Sequence, residues 1–556
     1  MYNKGQNKWK KIISLTLVIA LFSTLLIGCG KKTPTPDTGG TQTEDKGTTT
    51  TDDKKEEPKE EGPDYGDTGG ITLPLTDKGE TIKMLVPTGV LDLEKKFVFQ
   101  ELSKRTGLTL DIEEVPESAY AEKFKVILAS GKLPDIMLTG AYKEINKIAE
   151  ESGAFVNILD HLDILPNFQT VFVDNPEASW ALKSYSSPEG KMYMWPKYNS
   201  ERVVNHGYLY RKDIYDKHDL KMWTTTEEFY EGLKKLKEIY PDSTPFVSKL
   251  KETLFNRMAY GWGITIPAAG GKDVTYYNEE EKVWKASVTS PEFKEMLDFI
   301  KKLYNEGLLD PEFLTDTQES WSGKMAQDGK GFVTFDWVGR MDMFREQVKE
   351  TNPDYDLRYA LPVGPVGKWL TLSRVSGYGV AIADNKNKEL SLKLVDYLTS
   401  PSGAELMTMG VEGVTFVRES NGTITYPELA DKETISIKDL EEQYGMFTDG
   451  SYLRMADDCV YFDLSEREQE AADIMVANDR LAVNDPILKF TAEEEEKINE
   501  ISTPIATSAL EFATKYVIES SYGDAQWEAW VKQAEGQNIQ EVVDIYNQAQ
   551  QRFNQQ

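Results

Sequence analysis

The chain has 556 residues, 63 of them basic and 93 acidic, for a net charge of −30, with only two cysteines and three histidines. That length exceeds a single core and suits a body of two lobes, and two cysteines cannot make a disulfide framework. A surface this acidic excludes nucleic acid as a partner, because phosphates need the opposite sign, and disfavours direct docking on anionic lipid.

Lys4, Lys8, Lys10 and Lys11 precede an apolar run from Ile12 to Ile27 that closes on Gly28. This is the pattern of a secretory signal over residues 1–28 rather than of a spanning helix. The "LIGC" that ends it resembles the bacterial lipobox, in which cleavage before the cysteine frees Cys29 to take a lipid. Residues 1–28 hold four lysines and no acid, so the remainder carries 59 basic and 93 acidic residues, a net charge of −34. From Cys29 to residue 77 the chain is Thr, Gly, Pro and charge, too poor in hydrophobes to offset its ordering entropy, and is expected to be a disordered stalk. Cys459, left without a partner, is expected to be a small packed residue.

From residue 78 the pattern becomes globular. "TIKMLVPT", "LTLDIEEVP" and "LPDIMLTG" alternate with helical stretches at 91–107 and 118–132, a β-α-β-α-β order that points to an α/β sheet with helices on both faces. Further on, Thr225 and Glu228 form a capping box for a helix whose Phe229, Leu233, Leu236 and Tyr240 share a stripe. Ser290 and Pro291 begin another, which Gly307 ends. Both stripes read as core.

Chemistry of the catalytic kind is nearly absent. His161, His206 and His218 are far apart and in no metal-ligand spacing; neither a "GxSxG" elbow nor "HExxH" occurs, and "GKMAQDGKG" at 323–331 has the wrong glycine spacing for a phosphate loop. The chain reads as a non-enzyme without cofactor or metal. Large aromatics in Gly/Pro-rich turns are the remaining chemistry, and they suit stacking on the CH faces of sugar rings. Tyr193, Trp195, Tyr260, Trp262, Trp321, Trp337, Trp369 and Tyr378 sit in six such loops. Any one of them more often plugs a core edge; all of them together do not.

In order along the chain, "ASGKLPDIML", "GKMYMWP", "YLYRKDIYDKHDLKMWTTTEEFYEGLKKLK", "SPEFKEMLDFIKKLYNEGLLDPEF", "YALPVGPVGKW", "GYGVAIADNKNKELSLKLVDYLTSPSGAELMTMGVEG" and "IQEVVDIYNQAQQRF" resemble the family-1 extracellular solute-binding proteins of bacterial ABC importers. The likeness is greatest to their large lipoprotein branch, which includes receptors for alginate and pectin fragments. The resemblance implies an α/β, maltose-binding-protein-like fold of two lobes joined by a hinge of crossing segments and closing over a ligand. By the same resemblance the first crossing falls near Lys197–Asn205 and the return near Lys368–Ser376. The N-terminal lobe then takes 78–200 and 372–435, and the C-terminal lobe 201–371 and 436–556. One departure concerns the calcium loop common in that branch: Pro241, Asp242 and Ser243 cannot supply its alternating oxygen ligands, so no calcium is expected there.

The resemblance implies a protein, expected to be a monomer, that captures an oligosaccharide and passes it to the permease subunits of an ABC transporter, while the lipid tether at Cys29 and the stalk after it point to the outer face of a cell membrane of Gram-positive type. A surface glycoside hydrolase or lyase, or a sensor feeding a membrane kinase, are the rival readings. Uronate ligands would want guanidinium groups, and Arg202, Arg211, Arg257, Arg340 and Arg374 lie near the candidate loops. The charge of −34 and the abundance of acids to pair with those arginines favour a neutral or weakly charged sugar instead. Lys368 beside Trp369 is the foremost local candidate for ligand contact, with Arg340 also included in the binding set.

Overall fold

The computed structural model describes residues 63–199, 203–420, 422–432, 435–459 and 465–555. The signal segment, Cys29, the stalk up to residue 62 and Arg202 lie outside the described residues. In chain order the strands are β1 (Thr81–Pro87), β2 (Thr109–Val115), β3 (Ile136–Thr139), β4 (Met194–Tyr198), β5 (His206–Arg211), β6 (Thr275–Asn278), β7 (Val283–Ala286), β8 (Val333–Trp337), β9 (Leu357–Ala360), β10 (Trp369–Leu370) and β11 (Val375–Ile382), followed by three two-residue strands. Five of them make one sheet in the order β2-β1-β3-β11-β4; β8-β5-β9 make another.

In the first sheet β1 runs parallel to both β2 and β3, joined by helices at Phe97–Thr106 and Glu117–Ser130, as the alternating pattern predicts. Strand alternation then covers both faces. Ile82, Met84 and Val86 enter one apolar cluster, while Leu85 enters a second with Met137, Tyr193 and Ala381. β11 returns antiparallel to β3 and β4 from much later in the chain. In the second sheet β5 lies between β8 and β9, antiparallel to each. The core around it gathers residues from Val204 to Trp369 and then Ala471 to Val542, including the 27-residue helix Ala492–Ile518.

The backbone changes core three times: between Tyr198 and Val204, between Trp369 and Val375, and between Cys459 and Ala471. The last differs from the expected boundary at 435/436. Leu440, Tyr444, Phe447, Leu453 and Met455 all pack into the first core, because the helix Ile437–Tyr444 lays its apolar face there. Cys459 is buried and free in the same cluster.

Residues 63–77 also depart from the stalk expected over 29–77. Ile71 is buried in the first core, Leu75 N–H donates to Thr106 O at 2.8 Å, Ser402 Oγ donates to Tyr65 O at 2.6 Å, and the Arg105 guanidinium lies 4.9 Å over the Tyr65 ring. Four apolar side chains in fifteen residues, Tyr65, Ile71, Leu73 and Leu75, are enough to dock this segment on a lobe already formed. The helix signals are matched closely: Thr225 Oγ1 accepts from Glu228 N–H and Glu228 accepts from Thr225 N–H, while Ser290 caps a helix with Pro291 in its first turn.

Candidate functional site

Where the chain crosses between cores, strand ends of both sheets meet the crossings. Tyr198, the last residue of β4, pairs with Val375 of β11, and His206, the first of β5, pairs with Trp337 of β8. Side chains at these ends stand next to the crossings, the position at which α/β sheets hold ligands.

The first-lobe wall is built on a bulge. β11 slips register between Ser376 and Gly379, and at Gly379 a Cβ would stand 1.9 Å from Trp195 O, so only glycine allows that approach. The bulge turns Tyr378 outward, with 40% of its surface exposed, and lays its ring on Gly140, where an added Cβ would meet Cδ2 at 2.8 Å. Beside it Lys197 donates to Asp449 Oδ1 at 2.7 Å and stands 3.7 Å over the Tyr452 ring and 5.8 Å over Tyr378. Thr88, just past β1, donates to Glu441 at 2.8 Å. Burial pushes the Tyr378 phenol and the Glu441 carboxyl up, and Asp449 and Glu117 add to both shifts.

On the second-lobe wall, β8 ends in Asp336 and Trp337. The Trp337 ring is 41% exposed and lies against Gly339. Lys249 pairs with Asp336 and stands 3.7 Å over the Trp321 ring, and Arg340 Nε donates to the other Asp336 oxygen at 3.2 Å. Burial and the neighbouring guanidinium push the Lys249 ammonium down to about 8.

Of the aromatics singled out from the sequence, Trp337 and Tyr378 are exposed and most others are not. Trp195 has no exposed surface; it packs edge-on against Phe168 at 4.6 Å and donates its indole N–H to Thr399 Oγ1 at 3.0 Å. Trp321 is equally enclosed, donating to Thr334 Oγ1 at 2.9 Å, and reaches the site only as the floor beneath Lys249. Tyr193 and Trp262 are buried in their lobes' cores. Trp369 is 6% exposed, held between Phe335 at 4.8 Å and the half-buried Tyr260 at 4.9 Å. Lys368, just before β10, pairs instead with exposed Asp479 at 3.2 Å.

Arg211 is fully buried between Asp213 and Asp328, each at 2.6 Å, and is a core ion pair. Lys197, Asp449, Tyr452, Lys249 and Asp336 were missed. Each is a charged or aromatic residue with no distinctive local pattern, brought to the wall from a distant segment. The backbone carbonyls of Asp242 and Ser243 accept from the ammoniums of Lys330 and Lys237. Among the described residues no three His, Cys, Asp or Glu side chains are grouped to hold a metal.

Residues 75–405 match the family model described as bacterial extracellular solute-binding protein. The chain is 23% identical over 463 residues to the polygalacturonan/rhamnogalacturonan-binding protein YtcQ of Bacillus subtilis, covering 82% of this chain and 89% of that one. It is 24% identical over 490 residues to lipoprotein LipO of the same organism, covering 84% and 92%. It superposes on the calcium-free alginate-binding protein AlgQ2 with a TM-score of 0.65 at 23% identity, over 86% of this chain and 99% of that one. The match to an HMO-binding, ABC-transporter-associated solute-binding protein of Bifidobacterium longum infantis has a TM-score of 0.68 at 21% identity, over 85% and 99%. At these identities the solved structures establish the two-lobed fold.

Proposed function

The chain belongs to the bacterial extracellular solute-binding protein family, and on that premise we propose that it captures an oligosaccharide in the cleft and delivers it to the permease of an ABC transporter. The supporting observation is a pair of exposed rings near the crossings, Tyr378 in one lobe and Trp337 in the other, each flanked by a charged pair, Lys197–Asp449 and Lys249–Asp336. Rings supply stacking surfaces for sugar CH faces, and the charged pairs supply donors and acceptors for hydroxyls at their rims. The lobes are taken as 63–199 with 375–459, and 203–370 with 465–555, so that each wall moves with its own core. Ligand binding shifts the population of the two-lobed body toward its closed form, which the permease reads.

No bond is broken in this reading. The nearest rival, a glycoside hydrolase or lyase, predicts shortened products, whereas a receptor returns its sugar intact. Cys29 carries the lipid that holds the body at the outer face of a cell membrane of Gram-positive type; the relationship to a lipoprotein supports this. Thermal unfolding and tryptophan fluorescence of the intact chain against a broad glycan panel test the proposal. A hit recovered unchanged, with a midpoint that rises with ligand concentration, is expected. A panel in which nothing moves either signal would overturn it.

A further inference from the structure

The two walls of the cleft differ in charge. On the second-lobe wall, two cations share one carboxylate: Lys249 pairs with Asp336 Oδ2, and Arg340 Nε lies 3.2 Å from Oδ1. Among the described residues neither cation has a second carboxylate within ion-pair distance. Both lie over the Trp321 ring, at 3.7 and 5.6 Å from its centroid, and the remaining contact of Arg340 is the Met343 sulfur at 3.0 Å. Their side chains are about one-fifth exposed, 17% and 22%, so water screens them only in part. Beyond Phe335 and Trp369 on the same side, Arg257 forms no ion pair among the described residues and sits 5.9 Å from the Trp369 ring.

The first-lobe wall has the opposite balance. Lys197 is matched by Asp449, and Glu117 and Glu441 stand close by. A chain with a net charge of −30 thus carries, on one side of its cleft, a half-neutralised cationic pair. Such a pair is completed by a carboxylate arriving with a ligand, and a guanidinium beside an ammonium, fixed on an aromatic floor, is well formed to receive one. Trp337 follows Asp336 directly and offers a stacking face for the ring that bears it.

Resting on the oligosaccharide reading above, we propose that the ligand is an acidic oligosaccharide whose carboxylates are received by Lys249 and Arg340 on the second-lobe wall. Its hydroxyl-rich edge then faces Lys197 and Asp449 on the first. The proposal follows the local field of this wall, where the expectation of a neutral sugar followed the charge of the whole chain.

The test is titration calorimetry of the intact chain with tetrauronides of galacturonic, guluronic and mannuronic acid, each beside its methyl ester, in which the same sugar has lost its charge. At least one acid is expected to bind about tenfold or more tighter than its ester, as charge-assisted hydrogen bonds require, and to weaken with added salt while the ester does not. In Lys249→Met and in Arg340→Gln the acid-to-ester ratio should collapse toward one. Should Lys249→Met lose its fold by stranding Asp336, the more exposed Arg340→Gln and the salt series read the same quantity. An ester that binds as tightly as its acid, or a ratio unmoved in Arg340→Gln, overturns the proposal while leaving oligosaccharide capture standing. Silence from every glycan, charged or neutral, brings down both.

Discussion

Trp195 and Trp337 both looked like sugar platforms in the sequence, and their surroundings separate them. Trp195 is wedged against Phe168 with its N–H on Thr399, so Trp195→Ala should cost about 3–5 kcal/mol of folding stability, read by urea unfolding. Trp337→Ala should leave stability within about 1 kcal/mol, because much of its ring is already in water. Equal losses in the two would return Trp337 to the core. Asp396 makes a second prediction at this scale. Its carboxylate accepts from Asn167 N–H, Asn167 Nδ2 and Phe168 N–H at 3.1, 2.9 and 2.8 Å, yet burial outweighs these bonds and pushes it up to about 6 from 3.8. Between those values the folded state holds more protons than the unfolded, so this group's contribution is present at low pH and lost as pH rises through about 6. The wild-type minus Asp396→Asn difference in unfolding free energy should therefore fall between pH 4 and 6.5; a flat difference would contradict it.

Among the elements, the helices were the most legible because their signals are local. Thr225, Glu228 and the Phe229–Leu233–Leu236 stripe sit within one stretch of chain, and cap and buried face followed from them. Thr225→Ala should cost about 1 kcal/mol of stability with no change in ligand affinity. An affinity loss there would mean that the helix start communicates with the cleft. Strands close in sequence were legible too, from β1 to β3. The β11 bulge was not, since it depends on Gly379 approaching Trp195 O across the sheet, a contact between residues far apart in the chain. With it went the ability to foresee that Tyr378 would face out while Trp195, on the paired strand, faced in. The charged pairs were hidden for the same reason: Lys197 meets Asp449 from 252 residues away and Lys249 meets Asp336 from 87.

At the scale of the whole molecule, ordered motifs over the body carried the two-lobed class, and the stretches where the chain leaves and re-enters the first core, after Tyr198 and before Val375, carried motifs in the sequence. The third crossing did not, because the apolar face of Ile437–Tyr444 has no mark saying which lobe it joins. Away from the crossings the lobes touch through Lys489, which donates to Ser186 Oγ at 2.8 Å and to Ser187 O at 3.2 Å, and through Lys143 and Glu495 at 2.5 Å. Removing both lysines, Lys143→Met with Lys489→Met, should increase the radius of gyration of the ligand-free protein in small-angle scattering; an unchanged radius would show that these two contacts do not set the spacing.

The central claim is that one sugar is held between Tyr378 of one lobe and Trp337 of the other. Calorimetric titration of a panel-identified oligosaccharide into wild type, Tyr378→Ala and Trp337→Ala tests it most directly. Each substitution is predicted to weaken binding by about 1–3 kcal/mol with folding stability retained. Wild-type affinity in both variants would place the ligand elsewhere and contradict the account.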